Sequence, residues 1–143
     1  MTLFDHFVAS GVAALVVSIC ILIHYEALNT LERISRLMNR HRWIVLITMF
    51  GLIVAHIVQM WVFAFAYFVG EHWLGLGSIN STTDDWFDYV YYSAVVFTTV
   101  GFGDMVPAAG LRMLTMSEAL AGFSLITWSA SFTFLQMQRL WKE

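Results

Sequence analysis

The sequence predicts an all-α membrane protein with three spanning helices and one short apolar helix that does not span. Three observations carry this. Hydrophobic residues make up 59% of the 143-residue chain and charged residues only 12%, far from the balance of soluble domains. Three apolar stretches reach the ~20 residues that a spanning helix needs. Between the last two lies the string Thr99-Val100-Gly101-Phe102-Gly103-Asp104. Irregular backbone at membrane depth is tolerated only where it is buried in protein or lines a water-filled path.

The first apolar stretch runs from Phe7 to Tyr25 within an amino-terminal unit, residues 1–29. No cleavable signal pattern accompanies it, so it is expected to remain as an anchor. Cys20, the single cysteine, has no intrachain disulfide partner and reads as a small buried apolar residue. Residues 30–42 place Leu31, Ile34, Leu37 and Met38 on one side and Arg33, Arg36 and Arg40 toward another. That pattern predicts a separate amphipathic helix lying at the cytoplasmic interface.

The second span covers 43–69, longer than a crossing requires, which permits tilt. Residues 70–84 form a loop. The next apolar stretch, 85–98, is too short to cross and fits a re-entrant helix. Asp84 or Asp85, after Ser81, Thr82 and Thr83, supplies the N-cap. The third span covers 111–135, and residues 139–143 form a short cytoplasmic tail. So short a tail leaves no room for a regulatory domain, and gating by a ligand domain in this sequence is not expected.

Lys and Arg set the orientation. Arg33, Arg36, Arg40 and Arg42 crowd the first link, and Arg139 and Lys142 follow the third span; only Arg112 lies elsewhere. Both clusters are expected in the cytoplasm and the amino terminus outside, in a plasma membrane (the inner membrane of a bacterial cell). Trp43 and Trp141 then fall at the inner interface, Trp73 and Trp86 near the outer one, as aromatic belts require. The outward segment carries Glu71, Asp84, Asp85, Asp88 and Asp104, which would concentrate cations or serve only in hydration and capping. The net charge of −3 is no signature of a nucleic-acid partner, and none is expected. The first span has no Arg ladder, so it is not a voltage sensor of the usual kind. The histidines show no metal-site spacing, and no cofactor is expected.

The string 99–104 resembles the selectivity filter of the potassium-channel pore-domain family, Thr-Val-Gly-Tyr/Phe-Gly-Asp, at all six positions. The preceding Tyr91-Tyr92-Ser93-Ala94-Val95-Val96-Phe97-Thr98 resembles that family's pore helix, and Met105-Val106-Pro107 its exit from the filter. The resemblance covers the pore domain, 43–138, while the first helix is extra to it. It implies a homotetramer in the membrane lipid, since one chain supplies one filter and a ring of carbonyls needs four. It implies K+ held by the carbonyls of Thr99, Val100, Gly101 and Phe102, with the Thr99 hydroxyl closing the inner end. Gly101 and Gly103 permit positive φ. Val100 and Phe102 would pack behind the filter, with Thr98, Tyr91, Asp104 and Glu118 as its support.

Two positions depart from the pattern. Some members carry a Glu four residues before the filter Thr that pairs with the filter Asp; here that position is Val95, and Asp104 is expected to turn to the Tyr91 hydroxyl. Glycine-aromatic-glycine strings also occur in weakly selective relatives. Three readings therefore stand: a potassium-selective channel, a weakly selective cation channel of the same fold, and a non-conducting subunit that regulates another channel. None of them is an enzyme, and a regulatory partner is not identified.

The third span offers two faces of small and hydroxyl residues. Ser124, Thr127 and Ser131 lie on one, Gly122, Ser129 and Thr133 on the other. The first is assigned to the cavity by its distance from the filter in the family. Gly122 is near the family's inner-helix hinge and is assigned to the cavity or gate, with tight packing as its alternative. Glu118 lies one turn above Gly122. Intramembrane carboxylates are costly and often functional; it is expected to bond pore-helix hydroxyls or Gln59. There it would couple proton or filter state to conduction, or act as a protonated or hydrogen-bonded structural acid.

Overall fold

Long apolar runs without internal proline fold as helices because only intrasegment hydrogen bonds satisfy the backbone away from water. The computed structural model describes residues 3–38, 41–80 and 85–141. It is mostly α-helical. Helix α1 spans Leu3–Leu37 and α2 His41–His72; α3 spans Trp86–Phe97 and α4 Leu111–Leu140. Two-residue strands, β1 (Ile79–Asn80) and β2 (Val106–Pro107), pair antiparallel and close the chain on either side of α3.

Two helices, α1 and α2, are long and apolar enough to cross a membrane, and only 22% and 28% of their most apolar windows are buried. Leu15, Leu22, Phe50, Val54 and Phe65 are all more than half exposed. Exposed apolar surface on this scale needs lipid or protein cover. At 30 residues α4 is comparably long, but Glu118, Gln136 and its many hydroxyl residues dilute its hydropathy.

Side-chain pairs set the helix directions. Cys20 meets Gln59, and Leu31 packs on Gly51, so α1 and α2 are antiparallel. Tyr67 meets Glu118, His56 meets Ser129 and Thr48 meets Gln136, so α4 also runs against α2. The short helix α3 runs with α4, Tyr92 beside Thr115, Ser93 beside Glu118 and Phe97 beside Gly122. It therefore ends about midway along α4, and the chain then returns to the β1–β2 pair beside its entry. The core lies where the helices meet, around Phe63, Tyr67, Phe97, Leu111 and Leu114, each nearly inaccessible.

One element differs from expectation. Among the described residues of 30–42 no separate helix forms; α1 continues unbroken to Leu37. Glu26, Glu32 and Arg33 end an apolar run but do not end a helix, since no Gly or Pro interrupts them. The i,i+4 pair Glu32–Arg36, at 3.2 Å, supports the extension. Arg40 and Lys142 lie outside the described residues, as do Ser81, Thr82, Thr83 and Asp84. Asp85 occupies the N-cap of α3 in extended geometry, without a side-chain capping bond.

Candidate functional site

The site begins where α3 ends. The Thr99 N–H donates to the Val96 carbonyl at 2.9 Å and the Val100 N–H to the Val95 carbonyl at 3.1 Å. This is the paired closure of a Schellman motif, with Thr98 as C-cap and Thr99 in the left-handed position that glycine usually fills. Thr99 has φ +60°. A β-branched residue there is a backbone outlier, and such strain concentrates at functional positions.

Positive φ recurs at Gly101 (+58°) and Gly103 (+78°), alternating with Val100 and Phe102 at negative φ. No side chain would be crowded at either glycine; conformation, not space, calls for glycine. The segment 99–104 is exposed throughout. Among the described residues, no hydrogen bond ends on the carbonyls of Thr99, Val100, Gly101 or Phe102, and the Thr99 hydroxyl has no partner. The Thr98 hydroxyl, by contrast, donates to the Ala94 carbonyl at 2.6 Å and so closes its own helix. Val100 and Phe102 are 55% and 69% exposed; neither packs behind the segment within this chain.

The far end of the segment is tied to α3. The Tyr91 hydroxyl donates to Asp104 Oδ2 at 2.8 Å, and the Met105 N–H donates to Oδ1 at 3.1 Å. Nearby, Glu71 accepts from the Tyr89 hydroxyl at 3.0 Å and the Ile79 N–H at 3.3 Å. It organises the loop.

Behind α3, Glu118 is fully buried. Ser93 Oγ lies 2.5 Å from its Oε1, and the Tyr67 hydroxyl donates to its Oε2 at 2.5 Å. The carboxyl thus joins α2, α3 and α4, and its two oxygens each have a partner, as burial demands. Thr115 extends the cluster to Tyr92 at 2.9 Å. Gln59 is not its partner: it donates to the Cys20 carbonyl at 3.1 Å and meets His56 Nδ1 at 3.0 Å. Tyr67 and Thr115 were not singled out in the sequence. The available signal was Tyr67, a polar-tipped aromatic deep in an apolar run, which needs a partner for its hydroxyl.

On α4, Ser124, Thr127 and Ser131 share an exposed face, and each hydroxyl donates to its own helix four residues back, at 2.8, 2.8 and 3.0 Å. Gly122 is turned away from that face. It is buried against the Phe97 carbonyl, at a contact between α3 and α4. Ser129 is buried too, with Oγ 3.0 Å from His56 Nε2 and 3.4 Å from His24 Nε2. No group of three or more His, Cys, Asp or Glu side chains among the described residues is arranged to hold a metal ion.

Comparison with known proteins gives one match. The family model described as "Ion channel" matches residues 42–139, about two-thirds of the chain, from the start of α2 to the last turn of α4. No curated protein and no solved structure matches. Helix α1 lies outside the matched region. Membership of this family makes the chain a membrane transport protein and not an enzyme, with an additional apolar helix at its amino terminus: it belongs to the ion channel family.

Proposed function

We propose that the chain is the subunit of a potassium-selective channel in which four copies surround one pore. In this reading α4 is a third span, α3 a re-entrant pore helix and 99–104 the selectivity filter. The amino terminus lies outside, as the Lys and Arg distribution requires.

The observation that carries the reading is the alternation of positive and negative φ through Thr99-Val100-Gly101-Phe102-Gly103. Alternating handedness places successive N–H groups on one side of the chain and leaves the carbonyls on the other. Four such chains around an axis supply the rings of oxygens that replace an ion's water. Among the described residues the four carbonyls and the Thr99 hydroxyl accept or donate no hydrogen bond, and the segment is exposed, so these oxygens are free to face an ion. The exposed Val100 and Phe102 offer apolar surface for a neighbouring subunit. The hydroxyl face of α4, Ser124, Thr127 and Ser131, lines the cavity below. Asp104 is held by Tyr91 at the outer mouth, and Glu118 braces α3 from behind.

Ions then move passively. A hydrated K+ enters the cavity, exchanges water for the Thr99 oxygens and passes in single file along the carbonyls. No chemical step occurs. Reconstitution in liposomes with K+ on one side and Na+ on the other tests the reading. Reversal near the K+ equilibrium potential, lost in Gly101→Ala, is expected. Reversal near zero with clear current would mark a weakly selective channel. A Gly101→Ala variant that still regulates another channel, in a chain that conducts nothing, would mark a regulatory subunit.

A further inference from the structure

We infer that α1 is a clamp on the inner end of α4, with Glu32 holding Arg139, and that this contact sets how readily that end moves; the inference rests on the channel reading above.

Helix α1 is outside the matched channel region, yet it packs along α4 in the same direction. Its 35 residues extend about 52 Å at 1.5 Å per residue, well beyond a hydrocarbon core of ~30 Å. The surplus lies at its carboxyl end, beside the last turns of α4. There Glu32 Oε1 accepts from Arg139 Nη1 at 2.9 Å and from Arg36 Nε and Nη2 at 3.2 Å each. Arg139 is in the last turn of α4, where a cation complements the helix dipole. Among the described residues, Glu32–Arg139 is the ion pair that joins two helices.

Deeper in, a second attachment lies on the same side of α4. Ser129 meets His24 of α1 and His56 of α2, whose rings stack at 5.4 Å. Gln136 accepts from Thr48 of α2 at 2.6 Å. The inner half of α4 is therefore held from behind at three levels, while its Ser124–Thr127–Ser131 face is open. Outward movement of the α4 ends must break the outermost of these contacts first. An ion pair this exposed is weak by itself. Four α4 helices moving together compound it: about twofold per subunit, within the range of exposed pairs, becomes roughly sixteenfold for the assembly.

The test uses the full chain in liposomes. Open probability is measured for wild type, E32Q, R139Q, E32Q/R139Q and R36Q. Both single variants are expected to shift the opening equilibrium in one direction by roughly the sixteenfold derived above for four subunits, with the double variant no further than either single. R36Q leaves the Glu32–Arg139 pair intact and stays near wild type. No shift in the single variants, or additive shifts in the double, would overturn the clamp. A second readout does not need conduction. A bifunctional thiol reagent should link E32C to R139C within one chain, since Cys20 is buried and out of reach. Failure to link overturns the clamp whatever the currents show. Linking in a protein whose wild type passes no current would instead overturn the channel reading, and with it the clamp as a gating device.

Discussion

Gly122 of α4 packs directly against the carbonyl of Phe97, the last residue of α3, so that any Cβ at 122 would overlap that oxygen. Two residues further on, Thr99 begins the strained segment. Helix α4 thus bears on the foot of the candidate filter through backbone, which cannot yield as a side chain can.

Gly122→Ala is therefore expected to destabilise the protein despite alanine's better helix propensity, worth about 1 kcal/mol. Overpacking against a fixed carbonyl costs about 1–3 kcal/mol, and α4 must shift from α3 to relieve it. A lowered melting temperature of the assembled protein, with reduced K+ flux, is the expected result. Unchanged melting would mean that the two helices are not in contact as described.

Thr99 separates stability from function. Glycine at this left-handed position would remove a steric cost of roughly 1–2 kcal/mol, partly offset by the entropy that glycine loses on folding. Thr99→Gly should melt at or above the wild-type temperature yet lose selective conduction, because the hydroxyl at the inner end is gone. Thr99→Ser should keep both. Selective conduction by Thr99→Gly at the wild-type level would show that the hydroxyl is not used.

How much of this was legible in the sequence depends on which part of the residue carries the property. The segment 99–104 was legible because its geometry is written in residue type: Gly101 and Gly103 stand where φ is positive. The partner of Asp104 was legible because Tyr91 offered a hydroxyl within reach once Val95 replaced the usual acid. The partners of Glu118 were half legible. A hydroxyl on the α3 helix was expected and Ser93 supplies it. The choice of Tyr67 over Gln59 depends on how deep α2 sits against α4, which no local pattern encodes. The length of α1 was misread because charge marks the edge of an apolar span, whereas a helix stops only where its backbone bonding stops. The role of Gly122 was open for a similar reason: a hinge glycine and a contact glycine have the same sequence, and only the neighbour at Phe97 distinguishes them.

Glu118→Ala should cost more than Glu118→Gln. Alanine takes the acceptor from the buried Tyr67 hydroxyl, at about 1–3 kcal/mol for an unsatisfied group, and one of two acceptors from Ser93, which keeps the Met60 carbonyl at 2.8 Å. Glutamine keeps an oxygen for one of them. Melting of the assembled protein and K+ flux should both fall in the order wild type, Gln, Ala. Equal behaviour of Ala and wild type would remove Glu118 from the support of α3.

The faces of α4 make opposite predictions. Cysteine at Ser124, Thr127 or Ser131 should react with a charged thiol reagent and block current. Cysteine at Ser129 should be protected by its packing against His24 and His56. Block at 129 together with protection at 124, 127 and 131 would mean that α4 presents its other face to the path.

The central claim is that carbonyls 99–102 select K+. The direct measurement is the reversal potential of the purified protein in liposomes under opposed K+ and Na+, with Gly101→Ala beside it. The account predicts reversal near the K+ equilibrium potential for the wild type and loss of that selectivity in the variant. A reversal potential near zero in the wild type, or K+ selectivity that survives Gly101→Ala, would contradict it.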